Sequence, residues 1–235
     1  MEYKYCKNNN YEDFSSGRVL YGAKGIPNFP VRLLHEIYGY SKSYLEKKED
    51  IVIYDPCCGA AYALTVLGFF YNSEIKKIYG SDIDASMILY AKKNTRLLTK
   101  TGLKKRKEEI QLLYKKYAKN SHLQALDSCE KLENMLEKEV QVEIFKADCT
   151  KALPQIFPDI IITDVPYGNL VEWNKSQSIS IDNMLEELWM ISHEKTILAV
   201  CMDKSQKINS DKWKRLKKRN IGKRRFEILI KVTIL

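Results

Sequence analysis

Ile51-Val52-Ile53-Tyr54-Asp55-Pro56-Cys57-Cys58-Gly59-Ala60-Ala61-Tyr62-Ala63-Leu64-Thr65-Val66-Leu67 decides the fold. The stretch opens as a short apolar run with β-branched residues, which suits a strand buried on both faces. Pro56 lacks the N–H that would continue a ladder, so the strand is predicted to stop at Asp55. Small residues from Cys57 to Ala61 let a backbone turn approach a ligand closely. Apolar residues then run almost unbroken from Tyr62 to Phe70, the pattern of a buried helix. Strand, acid, small-residue turn and helix together predict an α/β protein. Its site then lies at the carboxyl edge of a parallel sheet.

The turn lacks the Gly-x-Gly-x-x-Gly spacing of a dinucleotide site. Asp55 stands at the strand end instead, a poor neighbour for a pyrophosphate. A carboxylate there attracts the ammonium and sulfonium of S-adenosylmethionine. Asp55-Pro56-Cys57-Cys58-Gly59 resembles the donor-binding motif of class I methyltransferases in its Asp-Pro-x-Cys-Gly form. Ala61 stands where that class usually carries a second glycine, and its Cβ is expected near the ligand. The bland alternative is an ordinary tight strand-to-helix turn.

Downstream segments repeat the pattern. Ile75 to Gly80 reads as a second strand, ending in Ser81-Asp82-Ile83-Asp84. An acid about 20 residues past the glycine turn is where a ribose diol is gripped. Asp82 is the candidate for that grip, with Ile83 packing on the adenine. Asp84 is placed to cap the helix Ala85 to Leu98. Val140 to Phe145 gives a third strand, followed by Asp148 and Cys149. Asp148 is expected to accept a bond from the adenine amino group, assisted by the Cys149 backbone. Lys151 to Phe157 reads as a short, proline-broken helix or a loop.

Asp159-Ile160-Ile161-Ile162-Thr163 is a fourth buried strand, ending in Asp164-Val165-Pro166-Tyr167-Gly168. A carboxylate, a proline-stiffened turn and an aromatic ring thus fall side by side at the sheet edge. Asp164 can accept a hydrogen bond from a base N–H, and Tyr167 can stack on the base plane. The tetrapeptide resembles the Asp/Asn-Pro-Pro-Tyr motif of methyltransferases acting on base nitrogens, with Val165 for the first proline. Asp164, Pro166 and Tyr167 are therefore the candidate catalytic corner. Asn169 to Ser180 reads as a polar loop with Trp173 as a lid, and Ile181 to Ile191 as a helix. Ile197 to Met202 is a fifth strand. The end of the chain from Ile221 is a strand antiparallel to Trp213–Asn220.

Two regions interrupt the alternation. Lys100 to Glu139 is charged and helix-favouring, with one apolar stripe through Leu103, Ile110, Leu113, Tyr114 and Tyr117. A second stripe runs through Leu123, Leu126, Leu132, Met135 and Leu136. A helical hairpin turning near Asn120-Ser121 is expected, whether to grip substrate, to mediate dimerisation or as a solvated decoration. The N-terminal residues to Lys24 read as an irregular arm. A helix follows from Val31, with Pro30 in its first turn and fraying at Gly39 and Ser41. Residues 1–48 thus form an extension with a covering helix, and 49–235 the main domain.

A length of 235 residues and 45% hydrophobic content suit one α/β domain with additions. No apolar run approaches the roughly 20 residues of a membrane span. The polar N-terminus lacks a signal-peptide core, so the cytoplasm and no membrane partner are expected. Six scattered cysteines without a Cys-x-x-Cys pair give neither a disulfide framework nor a zinc signature. Nothing groups the three histidines, so no metal is expected. The net charge of +9 favours a polyanionic partner, nucleic acid first. Nine Lys or Arg lie between Lys212 and Arg225, among them Arg215 and Arg224. This excess marks either a phosphate-contacting surface or a solvated face. Lys204 and Lys207 follow the fifth strand at the same edge as the candidate site. Arg18 and Tyr21 suit phosphate contact and base stacking, or a loop packed on the domain.

In order along the chain, these pieces resemble the avilamycin-resistance methyltransferase family, AviRa. The resemblance rests on Gly17-Arg18-Val19-Leu20-Tyr21, Phe29-Pro30-Val31-Arg32-Leu33, Asp55-Pro56-Cys57-Cys58-Gly59, Leu64-Thr65-Val66-Leu67-Gly68, Ser81-Asp82-Ile83-Asp84 and Asp164-Val165-Pro166-Tyr167-Gly168. It covers most of the chain, the helical insertion included. It implies a ribosomal RNA guanine methyltransferase of the large subunit that uses S-adenosylmethionine. The expected fold is the Rossmann-like class I architecture: a seven-stranded mixed sheet, helices on both faces and the hairpin insertion. The sequence leaves the oligomeric state open, with a monomer favoured. The donor contacts expected are Asp55, Cys57, Gly59, Ala61, Asp82, Ile83, Asp148 and Cys149. The RNA contacts expected are Arg18, Tyr21, Lys204, Lys207, Arg215 and Arg224. Two rivals remain: a methyltransferase of proteins or small molecules, and an RNA-binding protein that has lost the donor.

Overall fold

The computed structural model describes residues 3–15, 17–23, 28–165 and 177–233, with only the backbone of 177–180. The expected seven-stranded sheet is present. Its strands are β1 (Ile51–Asp55), β2 (Ile75–Asp82), β3 (Gln141–Lys146), β4 (Ile160–Asp164), β5 (Ile197–Asp203), β6 (Trp213–Ile221) and β7 (Arg224–Lys231). The order is β3-β2-β1-β4-β5-β7-β6, with β7 antiparallel to both β5 and β6. The chain crosses from the β3 edge back to the centre at β4. The carboxyl ends of β1 and β4 therefore flank the point where strand order reverses, where open α/β sheets bind ligands.

Each face of the sheet is covered by its own core. Helices α1 (Val31–Ser43) and α2 (Tyr62–Phe70) join Ile51, Ile53, Ile160, Ile162, Ala199, Phe226 and Ile228 on one face. Helix α6 (Gln177–Met190) covers Tyr54, Ile161, Leu198, Val200 and Leu229 on the other. Alternation along each strand assigns these residues to opposite faces. Helix α3 (Ala85–Arg96) follows β2, and Asp84 caps it as expected, accepting from the Ser86 amide at 2.7 Å. The hairpin is α4 (Lys100–Tyr117) and α5 (Asn120–Met135). Its turn falls at Ala118, in the left-handed region at φ 49°, slightly before the expected Asn120-Ser121.

Several boundaries differ from expectation for physical reasons. Helix α1 runs through Gly39 and Ser41 to Ser43 without fraying. The N-terminal arm lies against it there: a Cβ on Gly39 would come within 2.3 Å of the Tyr5 side chain. The glycine serves a close approach rather than a helix end. Residues 151–157 form no helix. Helix α6 begins at Gln177, inside the predicted loop, and the last strand starts at Arg224 after a turn at Gly222, φ 61°. The arm is not irregular throughout. It forms a 3-10 turn (Glu12–Phe14), and Phe14 is buried against Phe69 and Phe70.

Candidate active site

The turn after β1 is stitched to the end of β2. The Cys58 amide donates to the Ser81 carbonyl at 2.8 Å, and the Gly59 amide donates to Asp82 Oδ2 at 2.8 Å. Asp82 Oδ1 accepts from the Asp84 amide at 2.9 Å. Gly59 has φ 52°, and a Cβ there would meet no described atom within 4 Å, so the turn borders open space. Ile83 stands out from the surface at 60% exposure, an uncovered apolar side chain beside this turn. The turn after β3 joins the same place: Cys57 Sγ and Cys149 Sγ lie 3.5 Å apart. That contact and burial push the Cys57 thiol well above its ordinary pKa. Asp148 follows β3 and accepts from the Thr150 amide and hydroxyl at 3.0 and 2.7 Å. Burial works against its charge, yet the Thr150 and Lys151 hydrogen bonds hold its pKa below the usual value.

Asp55 is buried, and its Oδ1 accepts from the Cys57 amide at 3.0 Å. Burial pushes its pKa up to about 7, against the pull of that amide. A carboxylate so placed gains from any cation brought beside it. Asp55 and Asp82 thus end β1 and β2, and Asp148 lies two residues beyond the adjacent β3, the turns after the three strands being joined by direct contacts. These residues fit a ligand with a cationic end, a ribose diol and an adenine amino group. Ala61 differs from expectation. It adopts the left-handed conformation favoured by glycine, φ 55°, but its methyl is fully buried in the core beside α2. The extra Cβ therefore does not project over the turn.

The second corner is at the end of β4. Arg224, at the start of β7, donates from Nη1 to Asp164 Oδ2 at 3.1 Å and lies over the Phe29 ring. Asp164 Oδ1 is buried and without a partner among the described residues. Burial pushes Asp164 up to about 6, against the pull of Arg224. Pro166, Tyr167 and Trp173, the other members of this corner in the sequence reading, lie outside the described residues.

The basic residues divide. Lys204 and Lys207 are exposed beyond β5. The Lys204 amide donates to the Lys223 carbonyl, which brings Lys204 beside Arg224. Lys207 is not brought there: its neighbours Gln206 and Ile208 give their carbonyls to Arg225 and Arg215, on the α6 face. Arg215 is not brought to that edge. It pairs with buried Glu227 and donates to the Ile208 carbonyl at 3.0 Å, on the α6 face and near the opposite end of the sheet. Arg18 is taken up by Glu12 and Gln124, at 2.6 and 3.2 Å. The Tyr21 hydroxyl donates to Glu109 at 2.7 Å, and its ring lies under Arg106. Both residues hold the arm to the hairpin, matching the packed-loop alternative. Sequence reading missed Asn94, whose buried amide bridges the Tyr21 and Ala60 carbonyls at 3.0 and 2.9 Å and so ties arm to turn. A lone mid-helix asparagine carries no signal of such distant partners.

The family described as rRNA methyltransferase AviRa matches residues 1–224. The chain belongs to the AviRa family of rRNA methyltransferases. It is 32% identical over 222 residues to a "23S rRNA (guanine(2535)-N(1))-methyltransferase" of Streptomyces viridochromogenes, covering 90% of this chain and 88% of that protein. Two solved structures of rRNA methyltransferase AviRa from the same organism superpose with TM-scores of 0.87 and 0.85. They are 29% and 30% identical, and each match covers 95% of this chain and 94% of theirs. TrmN from Thermus thermophilus shares the fold alone, at TM-score 0.54 and 12% identity over 87% of this chain and 49% of that one. The seven-stranded AviRa architecture with its helical insertion is therefore the fold of this chain.

Proposed function

We propose that this protein transfers a methyl group from S-adenosylmethionine to a ring nitrogen of a guanine in large-subunit ribosomal RNA. The observation that carries the reading is the joining of three strand-end carboxylates, Asp55, Asp82 and Asp148, beside a fourth, Asp164, with a free buried oxygen among the described residues. Family membership directs it to RNA and to guanine.

The donor supplies a methyl group activated on a sulfonium. Asp55 faces the positive charge of that end, Asp82 receives the ribose hydroxyls, and Asp148 receives the adenine amino group. The target base is extruded from its stack, which costs a few kcal/mol. Asp164 Oδ1 accepts the hydrogen bond of the guanine ring N–H and takes its proton as the new bond forms at nitrogen. Arg224 holds Oδ2, so that one carboxylate oxygen is fixed and the other is left for the base. A base with pKa about 6 is ionised at neutral pH and still receives a proton effectively. Alignment of the two reactants supplies much of the acceleration. Pro166 and Tyr167 complete the corner in this proposal, Tyr167 by stacking on the base. Among the described residues no helix is long and apolar enough to cross a membrane. The monomer and the cytoplasm complete the reading.

The test is incubation of the purified protein with labelled donor and large-subunit rRNA, followed by nucleoside digestion and mass spectrometry. Methylated guanosine is the expected product. Label on protein or small molecules but not on RNA would contradict the assignment.

A further inference from the structure

A groove of about 610 Å³ lies between the N-terminal arm, α1 and β6, lined by Tyr3, Lys4, Tyr40, Lys217, Lys218 and Arg219. It is separate from the donor turns. The segments that border it are tied together by one residue outside its lining. Glu36 on α1 is fully buried and accepts from the Lys4 and Tyr5 amides at 3.0 and 2.7 Å and from Arg219 Nη1 at 2.5 Å. That carboxylate fixes the arm and the edge strand together. Lys217 lies over the Tyr40 ring at 5.2 Å, and Arg219 over the Tyr3 ring at 5.9 Å. These cations are therefore held in place by rings and by a buried acid.

Two features aim the groove at the candidate active site. The register of β6 on β7 shifts between Arg215 and Lys217. A bulge of this kind re-aims the side chains that follow it. Arg215 consequently faces α6, whereas Lys217 and Arg219 face α1, the same side as Asp164 and Arg224. Secondly, one ladder row runs from Asp164 to Cys201, Phe226 and Arg219. Three inter-strand steps put Arg219 about 14 Å from Asp164. Lysines on an edge strand also deter edge-to-edge pairing, and that alone explains exposed charge. It does not explain a buried glutamate and two rings spent on positioning it.

We propose that this groove seats the phosphate backbone of the RNA on one side of the target guanine, with Lys4, Lys217 and Lys218 neutralising phosphates. The proposal rests on the methyltransferase reading above. The rings of Tyr3 and Tyr40 are occupied by cations, so the groove reads charge and not base identity. It adds affinity without sequence choice.

The test is a triple variant, Lys4→Gln, Lys217→Gln and Lys218→Gln, with a matching variant of the hairpin end, Lys115→Gln, Lys116→Gln and Lys119→Gln. Each is titrated with a large-subunit rRNA fragment at several salt concentrations and assayed for methyl transfer. The groove variant is expected to raise KM for RNA at least tenfold and to lower the salt slope by about 2, three contacts at about 0.7 each. Its kcat at saturating RNA and its affinity for S-adenosylhomocysteine stay at the parental values, and the corresponding Lys→Arg triple restores KM. Parental KM and salt slope in the groove variant would overturn the proposal, as would a loss confined to the hairpin variant. Absence of transfer by the parental protein would refute the activity reading instead, while the binding titration still decides the groove.

Discussion

The carboxyl edge of the sheet has two halves of opposite character. Over β1, β2 and β3 it carries Asp55, Asp82, Asp84 and Asp148, most of them engaged by backbone amides of the turns. Over β5, β6 and β7 it carries Lys204, Arg219, Lys223 and Arg224. Asp164 sits at the boundary, bonded to the first cation of the basic half. The acidic half suits a cationic donor and the basic half a polyanion, so in the proposed function the two reactants meet where the sign changes. On that proposal one sheet sorts two oppositely charged partners by strand position.

The largest expected effect comes from the boundary. Asp164→Asn removes the proton acceptor but keeps the shape, and kcat is expected to fall at least about 100-fold. S-adenosylhomocysteine affinity by calorimetry stays within threefold. In the parental enzyme kcat/KM rises with pH through about 6, because Asp164 must lose its proton to act. Unchanged turnover in the variant would erase the boundary from the mechanism.

Next in size is a change confined to the acidic half. Asp82→Ala removes the acceptor for the Gly59 and Asp84 amides and the expected ribose grip. Loss of hydrogen bonds to a charged group, about 1.5–3 kcal/mol, weakens the donor roughly 10- to 100-fold. RNA affinity measured by filter binding remains parental. Equal losses for both ligands would show that the halves are not independent.

Asp55 makes the acidic half sensitive to pH. Its pKa rises from 3.8 to about 7 on folding. Between these values the folded state holds a proton that the unfolded state has lost, so the stability cost of Asp55 grows as pH rises from about 4 to 7. Asp55→Asn is expected to stabilise the donor-free protein by about 1–3 kcal/mol at pH 8 and little at pH 4. It binds the donor more weakly. Denaturant melts at both pH values check this, and an equal change at each would contradict it. Smallest is Ala61→Gly. Relief of left-handed strain, about 1 kcal/mol, is offset by a lost buried methyl and added chain entropy. Stability and donor affinity should change little; a tenfold gain in affinity would mean that the Ala61 methyl does reach the ligand.

The sequence made the acidic half legible because its logic is local. Each acid follows an apolar run and accepts from the amide two residues on, Cys57 for Asp55, Asp84 for Asp82 and Thr150 for Asp148. The second bond to Asp82, from Gly59 on another turn, was not legible in that way. The hairpin was legible from its two stripes. The basic half was less so. Arg215 and Arg219 look alike in Arg215-Leu216-Lys217-Lys218-Arg219, and only a register shift against β7 sends them to opposite faces. Glu36 reads as one more polar residue on α1, yet it joins the arm to a strand 183 residues away. Arg18 and Tyr21 left RNA contact and a packed loop equally open, because their partners, Gln124, Arg106 and Glu109, lie on a hairpin far along the chain. Gly39 suggested a fraying helix because nothing nearby in sequence announces Tyr5 against it.

The most direct measurement is a crystal structure with S-adenosylhomocysteine bound. It is expected to show the Asp82 carboxylate within hydrogen-bond distance of both ribose hydroxyls, Asp148 at the adenine amino group, and the sulfur opening toward Asp164. A nucleoside bound elsewhere, or a sulfur turned away from Asp164, would contradict the division of the sheet edge between donor and RNA.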